Sequence, residues 1–201
     1  MSGEVICNFG SQVYVEWHED AFEDKVYRCN KRANLEPLVA GDKVIWKHSA
    51  PYGIVIARKS RSSEILRPDN KGKIRSMAAN IDSIAIVFAC VPKPQYNLID
   101  RYLVAAEAQN VSSILILNKI DLIKDHLASE IQLLVEKYRR VGYPIIKVSS
   151  KTGEGMSILE DYLRNRIVIF SGQSGVGKTS LLNYLLPSAN SPVSYTHLRA
   201  H

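Results

Sequence analysis

Cysteine is scarce: Cys7, Cys29 and Cys90 are the only three in 201 residues, and no two stand at C-x-x-C spacing. That excludes a cysteine-framed zinc site and a disulfide scaffold, and it fits reduced thiols. The five histidines form no pair at metal-ligand spacing, and His18 and His48 read as surface loop residues. No apolar run is long enough to cross a bilayer. Met1-Ser2-Gly3-Glu4 has neither the basic nor the apolar segment of a secretory signal, so a cytoplasmic address without a membrane partner is expected. Charge is only mildly one-sided: 26 Lys+Arg against 20 Asp+Glu leave +6, which permits a nucleic-acid partner without requiring one. There is no internal repeat. With 46% hydrophobic and 23% charged residues the chain reads as globular, of one or two domains, with a monomer as the default.

Against these absences stands one dense motif. Gly172-Gln173-Ser174-Gly175-Val176-Gly177-Lys178-Thr179 fits G-x-x-x-x-G-K-(S/T), follows the apolar run Ile167-Val168-Ile169-Phe170, and continues through Ser180 into an amphipathic segment ending at Leu186. Strand, phosphate loop and helix are predicted. Glycines let backbone N–H groups wrap a phosphate, Lys178 reaches the terminal phosphates, and Thr179 offers its hydroxyl to Mg²⁺ at the helix N-terminus. A nucleoside triphosphate is the natural ligand, with Lys178 and Thr179 as the catalytic candidates.

Two further loops address the base. Asn118-Lys119-Ile120-Asp121 ends the apolar run Ile114 to Leu117. A carboxylate at Asp121 can accept hydrogen bonds from N1–H and the 2-amino group of guanine, whereas adenine would leave it unpaired. Lys119 is expected along base and ribose, Asn118 as a tie to the phosphate loop, and Ile120 packed beneath. Ser149-Ser150-Lys151 follows the extended segment Tyr143 to Val148, and the Ser150 amide is placed to meet guanine O6. Alone, N-K-x-D could be a helix cap at Asp121 and S-S-K a serine-rich turn. Together, all three loops follow predicted strands on the side where open α/β sheets bind ligands.

The order of the loops is unusual. Ras-like GTPases place the phosphate loop first, whereas here the sequence runs N-K-x-D, S-S-K, phosphate loop. With Met77-Ala78-Ala79-Asn80-Ile81-Asp82, Asn97 to Glu107 and Leu117 to Leu122, the chain resembles the circularly permuted, ribosome small-subunit-dependent GTPases of the RsgA/YjeQ family over roughly residues 1 to 190. The resemblance implies an N-terminal OB-fold, a permuted GTPase domain and a C-terminal zinc domain, with GTP/GDP and Mg²⁺ as ligands. It implies GTP hydrolysis late in assembly of the small ribosomal subunit, and contact with its rRNA.

The front section agrees with that expectation on its own terms. Residues 1 to about 70 hold short β-rich runs at Val5 to Cys7, Gln12 to Trp17, Lys25 to Cys29, Lys43 to Lys47 and Tyr52 to Arg58. These predict a five-stranded barrel, of OB or SH3-like type. Lys25, Arg28, Lys31 and Arg32 have no acid among them, and Arg58, Lys59, Arg61, Arg67, Lys71, Lys73 and Arg75 outnumber Glu64 and Asp69. Phosphate contacts with RNA are the preferred reading, a solvated face the alternative. Tyr14, Trp17, Tyr27, Trp46 and Tyr52 can serve as core or as stacking surfaces. The expected organisation is a barrel over 1–70, a linker over 71–81 and an α/β nucleotide domain with a mostly parallel sheet over 82–190. The spatial strand order expected from the resemblance places 167–170 beside 84–89, then 114–117 and 145–148.

Residues 180–201 contain no Asp, Glu or Gly, so no D-x-x-G loop follows Thr179, and Thr196 lies in nothing resembling a switch. The implied zinc domain is absent from the sequence too. Residues 191–201 read as a non-native tail of a truncated or read-through frame, which would leave strand 167–170 at an uncovered edge. Two functions follow: a GTP-hydrolysing assembly factor, or, for this chain, an RNA-binding module with a guanine-nucleotide pocket unable to hydrolyse.

Overall fold

Short strands that each turn a few apolar side chains inward roll the front of the chain into a barrel. The computed structural model describes residues 1–18, 24–68, 72–186 and 197–199. Its first five strands are β1 (Ser2–Phe9), β2 (Gln12–His18), β3 (Asp24–Lys31), β4 (Lys43–Lys47) and β5 (Gly53–Arg58). They close in the order β1-β2-β3-β5-β4, with β3 parallel to β5 and the other pairs antiparallel. These pairings make the barrel OB-like and decide against the SH3-like alternative. Val5, Val13, Val15, Cys29, Leu38, Val44 and Val55 pack around Trp46, which has no exposed surface. Gly53 makes room for the indole, since a Cβ there would stand 2.9 Å from its ring. Burial pushes the Cys29 thiol up to about 11, which keeps it protonated and inert.

Residues 74–79, inside the segment that the sequence suggests as a linker, form a strand. β6 (Glu64–Pro68) and β7 (Ile74–Ala79) pair antiparallel as a hairpin. The Ala79 amide donates to Ala40 O (3.0 Å), the Asn80 amide to Ser63 O (2.7 Å), and Asn80 Nδ2 to Gly41 O (2.7 Å). The strand escapes a hydropathy reading because its buried residues are the small Ala78 and Ala79, while Ile74, Arg75 and Met77 face solvent.

One ion-pair cluster ties this hairpin to the barrel. Asp42 is fully buried, and its carboxylate accepts from the Val39 amide (2.8 Å) and from Arg61 Nε and Nη2 (2.7 and 2.9 Å). Arg61 Nη1 also donates to Glu64 and Ser76 (2.7 and 2.8 Å). Hydrogen bonding to Asp42 drives the Arg61 pKa still higher, and the Ser76 hydroxyl followed by Arg61 lowers that of Glu64. Arg58 pairs with Glu36 and stands 4.0 Å from Asp42. Two cations of the second basic run are therefore held inside this unit, and the run is less available to an external anion than its composition suggests. The side chains of Arg67 and Lys71 lie outside the described residues.

The second unit, Asp82–His201, alternates strands and helices. Its elements are β8 (Ser83–Ala89), α1 (Tyr96–Glu107), β9 (Ser112–Asn118), α2 (Asp125–Val141), β10 (Ile145–Lys147), α3 (Met156–Leu163), β11 (Ile167–Gly172), α4 (Lys178–Leu185) and β12 (His197–Arg199). The sheet order is β10-β9-β8-β11-β12, with the first four strands parallel, in the expected spatial order. β8 is buried at every position, as a central parallel strand must be. Met156, Leu159 and Leu163 of α3 pack with Ala85, Val87, Ile114 and Phe170. α1 buries Ile99, Leu103 and Ala106, and Tyr138 of α2 donates its hydroxyl to Asp100 (2.7 Å). The edge of β11, expected to be open, is paired along Ile167–Ile169 by antiparallel β12. The other residues of the expected non-native tail, 191–196, 200 and 201, lie outside the described residues. No helix among the described residues is long and apolar enough to cross a membrane.

Replacing Arg61 with Ala strands the buried Asp42 carboxylate and is expected to cost about 3–5 kcal/mol, read as a lowered urea midpoint of the first unit. Because the Glu64 pKa is lowered in the fold, its stabilisation is present above the unfolded value and lost as pH falls through the folded one. The wild-type midpoint should therefore fall in acid.

Candidate functional site

The carboxyl ends of β11, β9 and β10 lie along the same edge of the parallel sheet, with β8 between β11 and β9, and each releases one of the three motif loops. At the end of β11, Gly172 has φ +139, and a Cβ there would stand 2.1 Å from Val87 O, so only glycine allows β8 and β11 to pair at this point. Gly175 (φ +78) and Gly177 (φ +91) turn the chain back, while Val176 anchors the turn in the core. None of the backbone amides from Gln173 to Ser180 donates a hydrogen bond to another described residue. The first turn of α4 carries no acidic side chain. The loop thus presents a row of unpaired N–H donors beside a helix N-terminus, which is the chemistry of an anion cradle. Lys178 Nζ folds over it, donating to Gly172 O (2.9 Å) and Gln173 O (2.8 Å), and burial lowers its pKa. Ser174, Thr179 and Ser180 are exposed, Gln173 half-buried.

Asn118 stands at the end of β9 with no exposed surface. Its Nδ2 donates to Val176 O in the phosphate loop (2.9 Å), and its Oδ1 accepts the Ser150 amide (3.2 Å). One carboxamide therefore joins all three loops, where the sequence suggested a tie to the phosphate loop alone. It also engages the Ser150 amide expected at guanine O6, so any contact with a base there is shared with Asn118. Lys119 adopts a left-handed conformation (φ 62), and its Nζ donates to Gly175 O (2.6 Å) and Val91 O (3.0 Å). Half-buried Ile120 opens a 3-10 turn over Ile120–Leu122, its amide donating to Val148 O (3.2 Å). This turn leaves Asp121 exposed.

The Asp121 carboxylate is held in place from the third loop. Buried Ser149 donates its hydroxyl to Asp121 Oδ1 (2.5 Å) and accepts the Thr152 amide (3.2 Å). The Ser149 backbone is fixed in turn by Glu154 O and the Gly153 amide (2.9 and 2.8 Å). Lys151, beside it, is exposed.

A fourth contributor is missing from the sequence motifs. The segment after β8 brings Val91 O to Lys119 and the Pro92 ring to 3.7 Å from the Cβ position of Gly175. Its position at the carboxyl end of a predicted central strand is the signal that could have found it. Among the described residues no group of three or more His, Cys, Asp and Glu could hold a metal ion.

A phosphate loop that follows N-K-x-D and S-S-K loops on this sheet order defines a circularly permuted GTPase domain behind an OB-like barrel. The RsgA GTPase family profile matches residues 58–199, and the chain belongs to that family. It is 48% identical over 193 residues to the small ribosomal subunit biogenesis GTPase RsgA of Pseudomonas fluorescens Pf-5, covering 96% of this chain and 56% of the relative. The protein of the same name from Pseudomonas syringae pv. tomato is 47% identical over the same coverage. The chain thus spans about half the length of the curated relatives it matches. Among solved structures, YjeQ from Thermotoga maritima superposes with a TM-score of 0.76 at 30% identity, over 93% of this chain and 65% of that one. YloQ, described as a circularly permuted GTPase, gives 0.71 at 32% identity, over 94% and 65%.

Asn118→Ala removes both ties and leaves Val176 O and the Ser150 amide to solvent or to each other's loops. The expected cost is about 1–3 kcal/mol, measurable as a lowered thermal midpoint of the second unit.

Proposed function

We propose that this chain carries the guanine-nucleotide site of a small-subunit assembly GTPase, together with a barrel that contacts rRNA, in the cytoplasm. The observation that carries the reading is the Asn118 carboxamide, which holds a row of free amides and an aligned carboxylate in one site. Asp121, kept in register by Ser149, selects guanine. Lys119 lies along the base and ribose, and Ser150 and Lys151 border it. The amides of 173–180 and Lys178 hold the phosphates. Thr179, exposed at the start of α4, fits a Mg²⁺ ligand. The cation would neutralise charge between the outer phosphates. Catalysis on this scaffold is positioning plus charge stabilisation, with Lys178 already aimed across the loop.

The hydrolytic step needs more than these loops. No acidic residue follows Thr179 in the sequence to extend the Mg²⁺ shell or sense a terminal phosphate. The three loops of this chain supply nucleotide binding, and hydrolysis is proposed for the family, whose curated relatives are named GTPases.

Equilibrium titration with fluorescent GDP and a non-hydrolysable GTP analogue, competed with ATP, tests the pocket. Guanine preference should exceed ATP by on the order of 100-fold or more. Asp121→Asn should shift preference toward xanthosine nucleotide, whose 2-oxo group accepts where guanine donates. Lys178→Ala should weaken binding roughly 10- to 100-fold. Equal affinity for ATP would overturn the base assignment.

A further inference from the structure

The five barrel aromatics singled out in the sequence divide into two sets. Trp46 is fully buried, with Trp17 and Tyr27 packed edge-on or tilted against it. The other two, Tyr14 and Tyr52, stand on the outer face with Phe9, which is 59% exposed. Register makes a row of them: Tyr14 on β2 is directly opposite Arg28 on β3, and the Arg28 guanidinium lies 4.8 Å over the Tyr52 ring. Phe9 meets Tyr14 edge-to-face at 5.7 Å. Two devices hold the row in shape. Gln12 Oε1 accepts from Arg28 Nε and Nη2, orienting the guanidinium plane. Asn8 Oδ1 accepts the Gly10 amide (3.0 Å) in the turn that carries Phe9 outward.

We infer that the strip Phe9–Tyr14–Arg28–Tyr52 is a stacking platform for a short single-stranded RNA segment, its phosphates running toward Arg32. This rests on the reading of the barrel as an rRNA contact and says which face makes it. Planar groups spaced across three strands match successive unpaired bases, whose π-faces are available for stacking. A duplex hides those faces, so the strip has little to offer it. Charge favours nucleic acid over a second apolar surface: no acid occurs between Lys25 and Leu35, and Arg28 lies within the aromatic row itself. Glu4 and Glu16, paired across β1 and β2 two residues beyond Tyr14, bound the strip on its other side and set the side on which phosphates run.

The test is fluorescence anisotropy of the full chain with a labelled oligouridylate of about ten nucleotides and with a blunt RNA duplex of equal length. Single strand should bind more tightly than duplex. Phe9→Ala with Tyr14→Ala should weaken single-strand binding by on the order of 10-fold or more while leaving its salt dependence unchanged. Arg28→Ala should weaken it and lower the salt slope by about 1. Arg139→Ala with Arg140→Ala, on α2, should change nothing. Circular dichroism melts confirm that each exposed-face variant folds. If wild type binds RNA but the platform variants bind as well, or duplex binds equally, the platform is refuted and the barrel keeps an RNA contact elsewhere. If wild type binds neither RNA, the RNA reading itself falls and the platform with it.

Discussion

The second unit depends on a carboxamide with nowhere else to go. Asn118 has no contact with solvent, so its donor and acceptor must both find partners inside the fold or cost about 1–3 kcal/mol each. The partners are backbone groups of two other loops, Val176 O and the Ser150 amide. Satisfying that one side chain fixes the separation of the phosphate loop from the third motif loop. Lys119 repeats the device at the exposed rim, joining Gly175 O to Val91 O. The free amides of 173–180 can remain unpaired because the loop takes its shape from its carbonyls. Those carbonyls are held by Asn118, Lys119 and Lys178, and the donors are left facing outward.

The first unit follows the same logic with charge. Asp42 is fully buried, and its two carboxylate oxygens receive Arg61 and a backbone amide. Because Arg61 also reaches Glu64 and Ser76, the barrel loop and the β6–β7 hairpin share one cation. A positively charged composition thus conceals a division of labour. Arg58 and Arg61 hold the unit together, while Arg28 lies exposed on an aromatic face.

Much of this was legible before any coordinates. The phosphate loop is a local property, since glycines at 172, 175 and 177 permit backbone that a Cβ would strain or block, and Lys178-Thr179 follow by spacing alone. Parallel strands announced themselves as unbroken apolar runs, whereas Trp46 stood open between core and stacking surface until the barrel closed around it. The strand at 74–79 did not, because small buried alanines and exposed Ile74 and Met77 invert the usual pattern. β12 was also missed: Thr196-His197-Leu198-Arg199 carries little β signal, and its place comes from pairing with β11. Ser149 was visible as a motif member, yet its grip on Asp121 was not.

What chain order and residue type alone decide here is local: where the backbone can turn, which runs must be buried, and which side chains could bind a phosphate or a guanine. The tertiary structure decides which of those capable groups are still free. Arg28 and Arg61 are the same residue type in similar basic runs, but the fold places buried Asp42 against one and Tyr52 beneath the other. Likewise the amides of Gln173 and Ser150 are alike in sequence terms, and only the position of Asn118 leaves the first open and engages the second. A hydrogen bond or ion pair is settled by a partner dozens of residues away, and that distance in the chain is why no local pattern could record it.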